Sequence, residues 1–554
     1  MKFSKIILSA TGAFLLVSCH SIKRIAVPKA KDTSVTIPCK KTFSTEELRT
    51  WSHADLATDS IPGISLAAAY TFLKDKKSVP VVVAVTDSGS DITHQDLASK
   101  VWTNPKEIPG NGVDDDKNGF VDDVHGWNFL GATYDENLEL TRLYRKQKPL
   151  YEGKTALDFK KKKEIEKFNA FKALEEDYNK NLERVKKGQD QYMQYEEMLQ
   201  ATHVSMQNLT GKENYTLEDL TATSSTFDRI NSQKEMATKI LASGSTIEAQ
   251  IDQLEPAIAY YTSQVNYYYN LAFNGRAKLK DDGYLMKTKF YGDPNVKNQG
   301  DDEIHGTHVS GIVLAERNNN LGVSGVVDNA LLMAVRVVPN GDEYDKDVAL
   351  GIRYAVDHGA KVINTSFGKG YSPNAEWVYD AIRYAAKKDV LIVNAAGNDG
   401  ANIDVKPSFP NDVKKGNKEV SDNFLTVGAT TRFYNENLPA TFTNYGQNNV
   451  DVFAPGHDIY NTVPNDSYKS LSGTSMASPA TAGVAALIRS YFPELSASQV
   501  KHIIMNSGTL VELEVLLPKG EGALIPFAAL SKSGRIVNAY NAVKMAAEMV
   551  AKKK

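Results

Sequence analysis

The 554-residue sequence has only two cysteines, Cys19 and Cys39, so no disulfide framework holds the fold, which leaves packing and bound metal as sources of its stability. It has no basic excess. Lys and Arg number 64 against 67 Asp and Glu, a net charge of -3, which argues against nucleic acid as a partner. Beyond its first residues it also lacks a long apolar run, so no later segment reads as a membrane span. Hydrophobic residues make up 42% of the chain. That is enough for a sizeable core and too much for a largely disordered or collagen-like chain.

The single apolar run opens the sequence. Lys2 and Lys5 precede a stretch too short to cross a bilayer comfortably, the pattern of a secretory signal over residues 1–18. It ends Leu16-Val17-Ser18-Cys19, which resembles a bacterial lipobox, where cleavage leaves the cysteine to be lipidated. Residues 19–50 then read as a lipidated tether. The expectation is export to the bacterial cell envelope, with the membrane as a partner through lipid on Cys19. An ordinary signal peptide with an incidental cysteine is the plainer alternative. Cys39 has no partner within the chain and reads as incidental.

Val79–Val85 is a short β-branched run ending at Thr86-Asp87-Ser88-Gly89. The C-terminal half repeats this grammar. Strands expected over Leu331–Val338, Val362–Ser366 and Val390–Asn394 alternate with helices over Asp347–His358 and Glu376–Lys388. Alternation at this spacing implies a parallel sheet covered by helices on both faces. Ligands of such sheets bind at the carboxyl ends of the strands. Residues 132–284 differ. Phe171, Tyr178, Val185, Tyr192 and Leu199 recur every seven positions, and Ile247, Ile251, Leu254, Ile258, Tyr261, Val265 and Tyr268 alternate four and three apart. These seams predict a long antiparallel helical hairpin turning within Leu209–Ser225, with Gly188 and Pro256 as irregularities. Its many tyrosines exceed what one narrow seam can bury. Some should therefore face the sheet domain or a protein partner, the alternative being a self-packed appendage.

Three motifs carry chemistry with the Asp87 turn: Ile304-His305-Gly306-Thr307-His308-Val309-Ser310-Gly311, Asn394-Ala395-Ala396-Gly397-Asn398-Asp399-Gly400 and Leu471-Ser472-Gly473-Thr474-Ser475-Met476-Ala477-Ser478-Pro479-Ala480. A serine at a Gly-rich turn entering a helix has its hydroxyl where free N–H groups gather. A hydroxyl needs a base to become a nucleophile, histidine can supply one, and an aspartate can fix the imidazole tautomer. An Asn side chain beside it can donate to an oxyanion.

In their order Asp, His, Asn, Ser and in their contexts, these motifs resemble the subtilisin-like (subtilase) serine proteases. The resemblance covers roughly residues 50–130 and 285–545. It implies an α/β subtilisin-like sheet and assigns Asp87 as the carboxylate orienting the imidazole, His305 as general base and acid, Ser475 as nucleophile and Asn398 as oxyanion donor. It also implies that an extended polypeptide substrate adds a strand to Ser366-Phe367-Gly368 and to Ala395-Ala396-Gly397. Asp399 falls near the expected rim of the primary pocket, where it would favour basic side chains unless it is an ordinary solvated loop residue. His308 is one helical turn from His305 and, lacking a third ligand, reads as structural.

Asn111–Asp123 is the densest carboxylate cluster. Asp114, Asp116, Asn118 and Asp122 have the alternate spacing of a calcium loop with Gly119 at its turn, but His125 stands where an EF-hand has its closing Glu. A structural Ca²⁺ and a solvated acidic loop both fit this pattern. Asp96 and Asn319 match a subtilisin calcium site by resemblance, in a loop one residue longer than the family pattern. No catalytic cofactor is expected. The division is then a discontinuous catalytic domain over 51–131 and 285–545, a helical insertion over 132–284 and a basic tail over 546–554. The chain reads as a lipid-anchored serine endopeptidase. The rival reading is a catalytically silent scaffold whose hairpin recruits a partner.

Overall fold

The β-branched runs form strands within two residues of their expected positions in the computed structural model, which describes residues 39–300, 302–414, 418–520 and 522–552. Segment 1–18 and Cys19 lie outside the described residues. Strands β1 (Val81–Asp87), β2 (Gly126–Asn128), β3 (Ala330–Arg336), β4 (Val362–Thr365) and β5 (Leu391–Ala395) belong to one nine-stranded sheet. Its order is Thr509–Leu510, Arg535–Ile536, Val452–Pro455, Phe424–Thr430, β5, β4, β1, β3, β2. β1 is central, paired in parallel with β3 from Val81–Ala330 to Asp87–Arg336 and with β4 from Val83–Val362 to Thr86–Thr365. Only Thr509–Leu510 runs antiparallel to its neighbour.

The period-2 alternation of each strand divides its side chains between two buried faces. Val81, Val83, Val85 and Leu332 pack with helices His305–Leu314, Thr474–Tyr491 and Ala539–Ala551. Ala84, Met333 and Val335 pack with helices Asp345–Asp357 and Ala375–Lys387. Each fully buried Val, Leu or Met contributes about 1.5–3 kcal/mol. This two-sided core fixes β1, β4 and β5 side by side, so the segments leaving their carboxyl ends lie along one edge.

Three expected boundaries shift. The tether expected over 19–50 ends earlier. Helix Thr45–Thr50 is closed by a Ser44–Glu47 capping box, Phe43 packs edge-on to Phe433 at 5.8 Å, and the Trp51 indole donates to the Asp458 carbonyl at 3.2 Å. The basic tail expected from 546 is still helix Ala539–Ala551. Its apolar period continues, so Ala546 and Met549 are buried in the core. The insertion ends near residue 274 rather than 284, because Arg276 is buried in ion pairs with Asp347 and Asp281, both at 2.6 Å.

The insertion opens with helix Glu139–Tyr151. The outgoing arm of the hairpin is one 49-residue helix, Lys162–Thr210, about 74 Å long at ~1.5 Å per residue. The expected single return arm is instead two helices, Asp228–Ala242 and Ile247–Ser263, broken at Gly244, whose φ is +82°. A short helix, Leu217–Ala222, occupies the expected turn region. Helix Ile247–Ser263 runs through Pro256 and ends in one π turn, Gln264–Tyr268. Gly188 is a packing requirement. A Cβ there would lie 2.5 Å from the Tyr261 ring, which also stacks on Tyr192 at 5.5 Å.

Candidate active site

Asp87 is the last residue of β1 and is 1% exposed. Its Oδ1 accepts from the Ser88 amide at 2.8 Å and lies 2.7 Å from His305 Nδ1. His305 opens helix His305–Leu314, and its side chain is 38% exposed. Partial burial lowers its pKa, but the charge and hydrogen bond of Asp87 outweigh this, so the pKa stands above the ordinary histidine value. With Nδ1 engaged by Asp87, Nε2 is left to exchange a proton with a reacting group. His308 lies a turn further on and is fully buried. Its Nε2 lies 2.9 Å and 3.0 Å from the carbonyls of Ile459 and Lys469, and burial lowers its pKa to about 4. A neutral ring donating to the backbone is the structural role expected of it.

Ser475 is the second residue of helix Thr474–Tyr491, which packs against helix His305–Leu314. Pro479 has no N–H to give to the Ser475 carbonyl four residues back. The Ser366 hydroxyl takes that place at 2.9 Å, and the Ser475 hydroxyl donates in return to the Ser366 carbonyl at 3.0 Å. This reciprocal pair joins the end of β4 to the start of the helix. It also means that the Ser475 hydroxyl rests on Ser366 rather than on His305.

Asn398 follows β5. Its Oδ1 accepts from both the amide and the hydroxyl of Thr474 at 2.9 Å, which fixes the amide plane and leaves Nδ2 as a donor. A Cβ at Gly473 would lie 3.4 Å from Asn398 Nδ2 and 3.5 Å from Ser475 N. The two nitrogens therefore border one small space that glycine leaves open, an arrangement able to receive a developing oxyanion.

The two expected substrate strands differ. Among the described residues, neither Phe367 nor Gly368 has a backbone hydrogen-bond partner, so this segment can pair with an extended peptide. Ala395–Gly397 cannot. The Ala396 amide goes to Val427, the Gly397 amide goes to the Thr474 hydroxyl, and the Gly397 carbonyl accepts from Asn444. Ala395 and Gly397 instead line an open cleft with Phe367, Gly368, Asn398 and Ser475. Sequence reasoning missed that this cleft is also lined by Leu138, Leu140, Asp177, Asn181 and Tyr269 of the insertion. Spacing within a seam shows which helical positions are buried, not which neighbour they meet.

The acidic loop is only partly as expected. Carboxylate oxygens of Asp114, Asp116 and Glu107 lie within 4.8 Å of one another. Glu107, seven residues before the loop's first ligand position, carried no spacing signal. Asn118 and Asp122 serve the loop itself. Asn118 Nδ2 donates to Asp123 at 3.1 Å, and Asp122 accepts from the amides of Asn111 and Gly112 at 3.2 Å and 2.8 Å. Asp96 and Asn319 do meet, but as hydrogen-bond partners. Asn319 Nδ2 donates to Asp96 Oδ1 at 2.5 Å, while Tyr468 and the Val323 amide donate to Oδ2 at 2.8 Å and 3.1 Å. That carboxylate is satisfied by the chain alone.

A parallel α/β sheet carrying an Asp–His pair, a helix-borne serine and an Asn donor at its carboxyl edge defines a serine-hydrolase type of centre. A match to the subtilase family extends over residues 79–523, and the chain belongs to that family. It is 42% identical over 204 residues to thermitase of Thermoactinomyces vulgaris, covering 37% of this chain and 66% of that protein. It is 37% identical over 240 residues to a thermophilic serine proteinase of Bacillus sp. (strain AK1), covering 43% and 52%. It is 39% identical over 218 residues to the cell wall-associated protease of Bacillus subtilis (strain 168), covering 39% and 22%. The chain thus spans from about a fifth to about two thirds of the length of these relatives.

Proposed function

We propose that the chain is a serine endopeptidase acting on polypeptides through Asp87, His305 and Ser475. The observation that carries this reading is the 2.7 Å contact between His305 and buried Asp87, in a fold that sets Ser475 and Asn398 around one cleft. Rotation about its Cα–Cβ bond frees the Ser475 hydroxyl from Ser366. His305 Nε2 takes the hydroxyl proton as Oγ bonds to the scissile carbonyl carbon. Asn398 Nδ2 and the Ser475 amide receive the oxyanion. The carbon–nitrogen bond breaks as His305 returns the proton to the leaving amine, and water then releases the acyl group by the same steps in reverse roles. Ser475→Ala should lower turnover of peptide substrates by on the order of 10⁶-fold with an unchanged melting temperature. Full activity in that variant would end the assignment. The acid limb of kcat/KM reports the free-enzyme base. It should lie above the ordinary histidine value and fall toward it in Asp87→Asn, because His305 is inactive when protonated and Asp87 stabilises that form. An unmoved limb would remove Asp87 from its role.

A structural cation fits the acidic loop and forms part of the same proposal. Glu107 is 6% exposed and its Oε2 has no hydrogen-bond partner, while its ligand atoms meet those of Asp114 and Asp116. A buried, unpartnered carboxylate oxygen is costly unless a cation compensates it. Glu107, Asp114 and Asp116 would hold Ca²⁺ and tie the loop to the core. Calcium at 100 times its Kd should add about 2.7 kcal/mol of stability. A melting curve with calcium or chelator checks this, and an equal shift in Glu107→Gln would move the site elsewhere.

Export with lipid on Cys19 completes the reading, on the strength of Leu16-Val17-Ser18-Cys19 behind a basic and then apolar segment. Among the described residues no helix is long and apolar enough to cross a membrane. Mass spectrometry of the mature N-terminus should find an acylated Cys19, and a different, unmodified first residue would refute it.

A further inference from the structure

The insertion does not stand clear of the cleft. Gly397–Asp399 share the cleft with Leu138 and Leu140 at the insertion's entry, Asp177 and Asn181 on the 49-residue helix, and Tyr269 at its exit. The wall is rigid. Tyr178, the neighbour of Asp177, is buried, stacks on Tyr144 at 4.5 Å, and donates its hydroxyl to the Tyr269 carbonyl at 2.6 Å. Asp177 is itself held in place. Its Oδ2 accepts from the Tyr371 hydroxyl at 2.8 Å and its Oδ1 from the Asn181 amide at 2.9 Å. Tyr371 lies three residues beyond Gly368, so this bond ties the insertion to the segment whose backbone is free to pair with a peptide.

Both donors to Asp177 are neutral, and among the described residues no Lys or Arg forms an ion pair with it. The cleft offers it none. Lys369 also lines the cleft but spends its ammonium on Asp345 at 2.9 Å and the Glu343 carbonyl at 2.6 Å. Lys406 also lines the cleft; it is exposed and forms no ion pair with Asp177. A half-buried carboxylate held by two neutral hydrogen bonds still has lone pairs to offer. We propose that the insertion is part of the substrate site and that Asp177, held by Tyr371 and Asn181, receives a basic side chain of the bound polypeptide. This rests on the proteolytic reading given above.

The test compares the full-length protein with Asp177→Asn and Asp177→Lys. Hydrolysis is measured on peptide sets carrying Lys, Arg, norleucine or Glu at each position around the cleaved bond. Fluorescence anisotropy measures binding of the same Lys and norleucine peptides to Ser475→Ala, with and without Asp177→Asn. At one position the Lys-to-norleucine ratio of kcat/KM should fall about tenfold in Asp177→Asn, which equals about 1.4 kcal/mol. At that position Asp177→Lys should prefer Glu. Hydrolysis with the same side-chain ranking in all three proteins would overturn the proposal while leaving the proteolytic reading intact. If no peptide is cleaved, binding decides. A Lys-peptide affinity that depends on Asp177 upholds the subsite and sinks the proteolytic reading. Equal affinity for Lys and norleucine peptides, or binding of neither, overturns the subsite.

Discussion

The two ends of the insertion are built from different chemistry. At its root, Arg142 pairs with Glu139 at 2.6 Å with both side chains 1% exposed, and the Arg142 guanidinium lies 3.9 Å from the centre of the Tyr344 ring. Lys369, Asp345, Arg276 and Asp347 extend this set of buried charges into the sheet domain. Phe171, Tyr144 and Tyr178 stack above it. The distal half closes on a small apolar cluster of Leu199, Met206, Leu220, Ala237 and Ile247. Each of its ion pairs among the described residues keeps at least one partner in solvent, as between Lys239 and Glu235, which are 74% and 69% exposed. Buried ion pairs add little stability over apolar packing, but they are severe about partners and position. The molecule places them where the insertion meets the cleft and leaves the far end to pack on itself. The root is thus an extension of the sheet domain, and the distal half is an ordinary helical hairpin.

The largest effect should come from breaking the root. Arg142→Met removes the guanidinium but keeps much of the side-chain volume, leaving buried Glu139 with Lys369 as its remaining ion-pair partner among the described residues and the Tyr284 hydroxyl as a neutral donor. Removing one partner of a buried pair costs about 3–5 kcal/mol. In the parent, burial raises the Glu139 pKa, but Arg142 and Lys369 outweigh it and bring it down from 4.5 to about 2. A depressed carboxylate pKa stabilises the fold above the unfolded value, and that contribution is lost as pH falls. The parent should lose it between pH 4.5 and 2, and Arg142→Met should have less to lose there. Denaturant midpoints at neutral and acid pH check both points. An Arg142→Met variant as stable as the parent would erase the distinction between root and distal half.

Much of this division was legible in the sequence, but unevenly. The four motif turns placed Asp87, His305, Asn398 and Ser475 because each follows a recognisable strand or enters a helix, and local patterning reports local structure. The heptads gave the long arm almost whole, since Phe171, Leu174, Tyr178, Val185 and Leu199 are all buried. The break at Gly244 lies in Ser243-Gly244-Ser245-Thr246, a turn-forming run just ahead of the Ile247 seam, and the expectation of a single return arm passed over it. Ala395–Gly397 was misread as a substrate strand because a sequence does not show which backbone groups the fold has already used. Glu107 and Asp177 were invisible for a related reason. Each becomes significant through a neighbour distant in sequence, and a single carboxylate on a charged helix or turn has no pattern of its own.

The smallest expected effect is the most direct test of the distal half. The distal cluster makes its buried contacts within the insertion. Replacing residues 197–254 with a short Gly/Ser turn removes it as a unit and leaves Gly188 against Tyr261 and Tyr178 against Tyr269. The long helix and the end of the return arm would still be joined as an antiparallel pair. kcat/KM on small peptides should then stay within about twofold, less than 0.5 kcal/mol. Excision of the wider segment Gly153–Asn274 is the informative contrast, since it also removes Asp177, Asn181 and Tyr269 from the cleft. That variant should lose selectivity for basic side chains even if it folds. If the short excision lowers small-peptide cleavage as much as the wide one, the distal half supports the cleft and the comparison fails. If it spares small peptides but slows cleavage of large folded proteins, the distal half is a second contact for the substrate beyond the cleft.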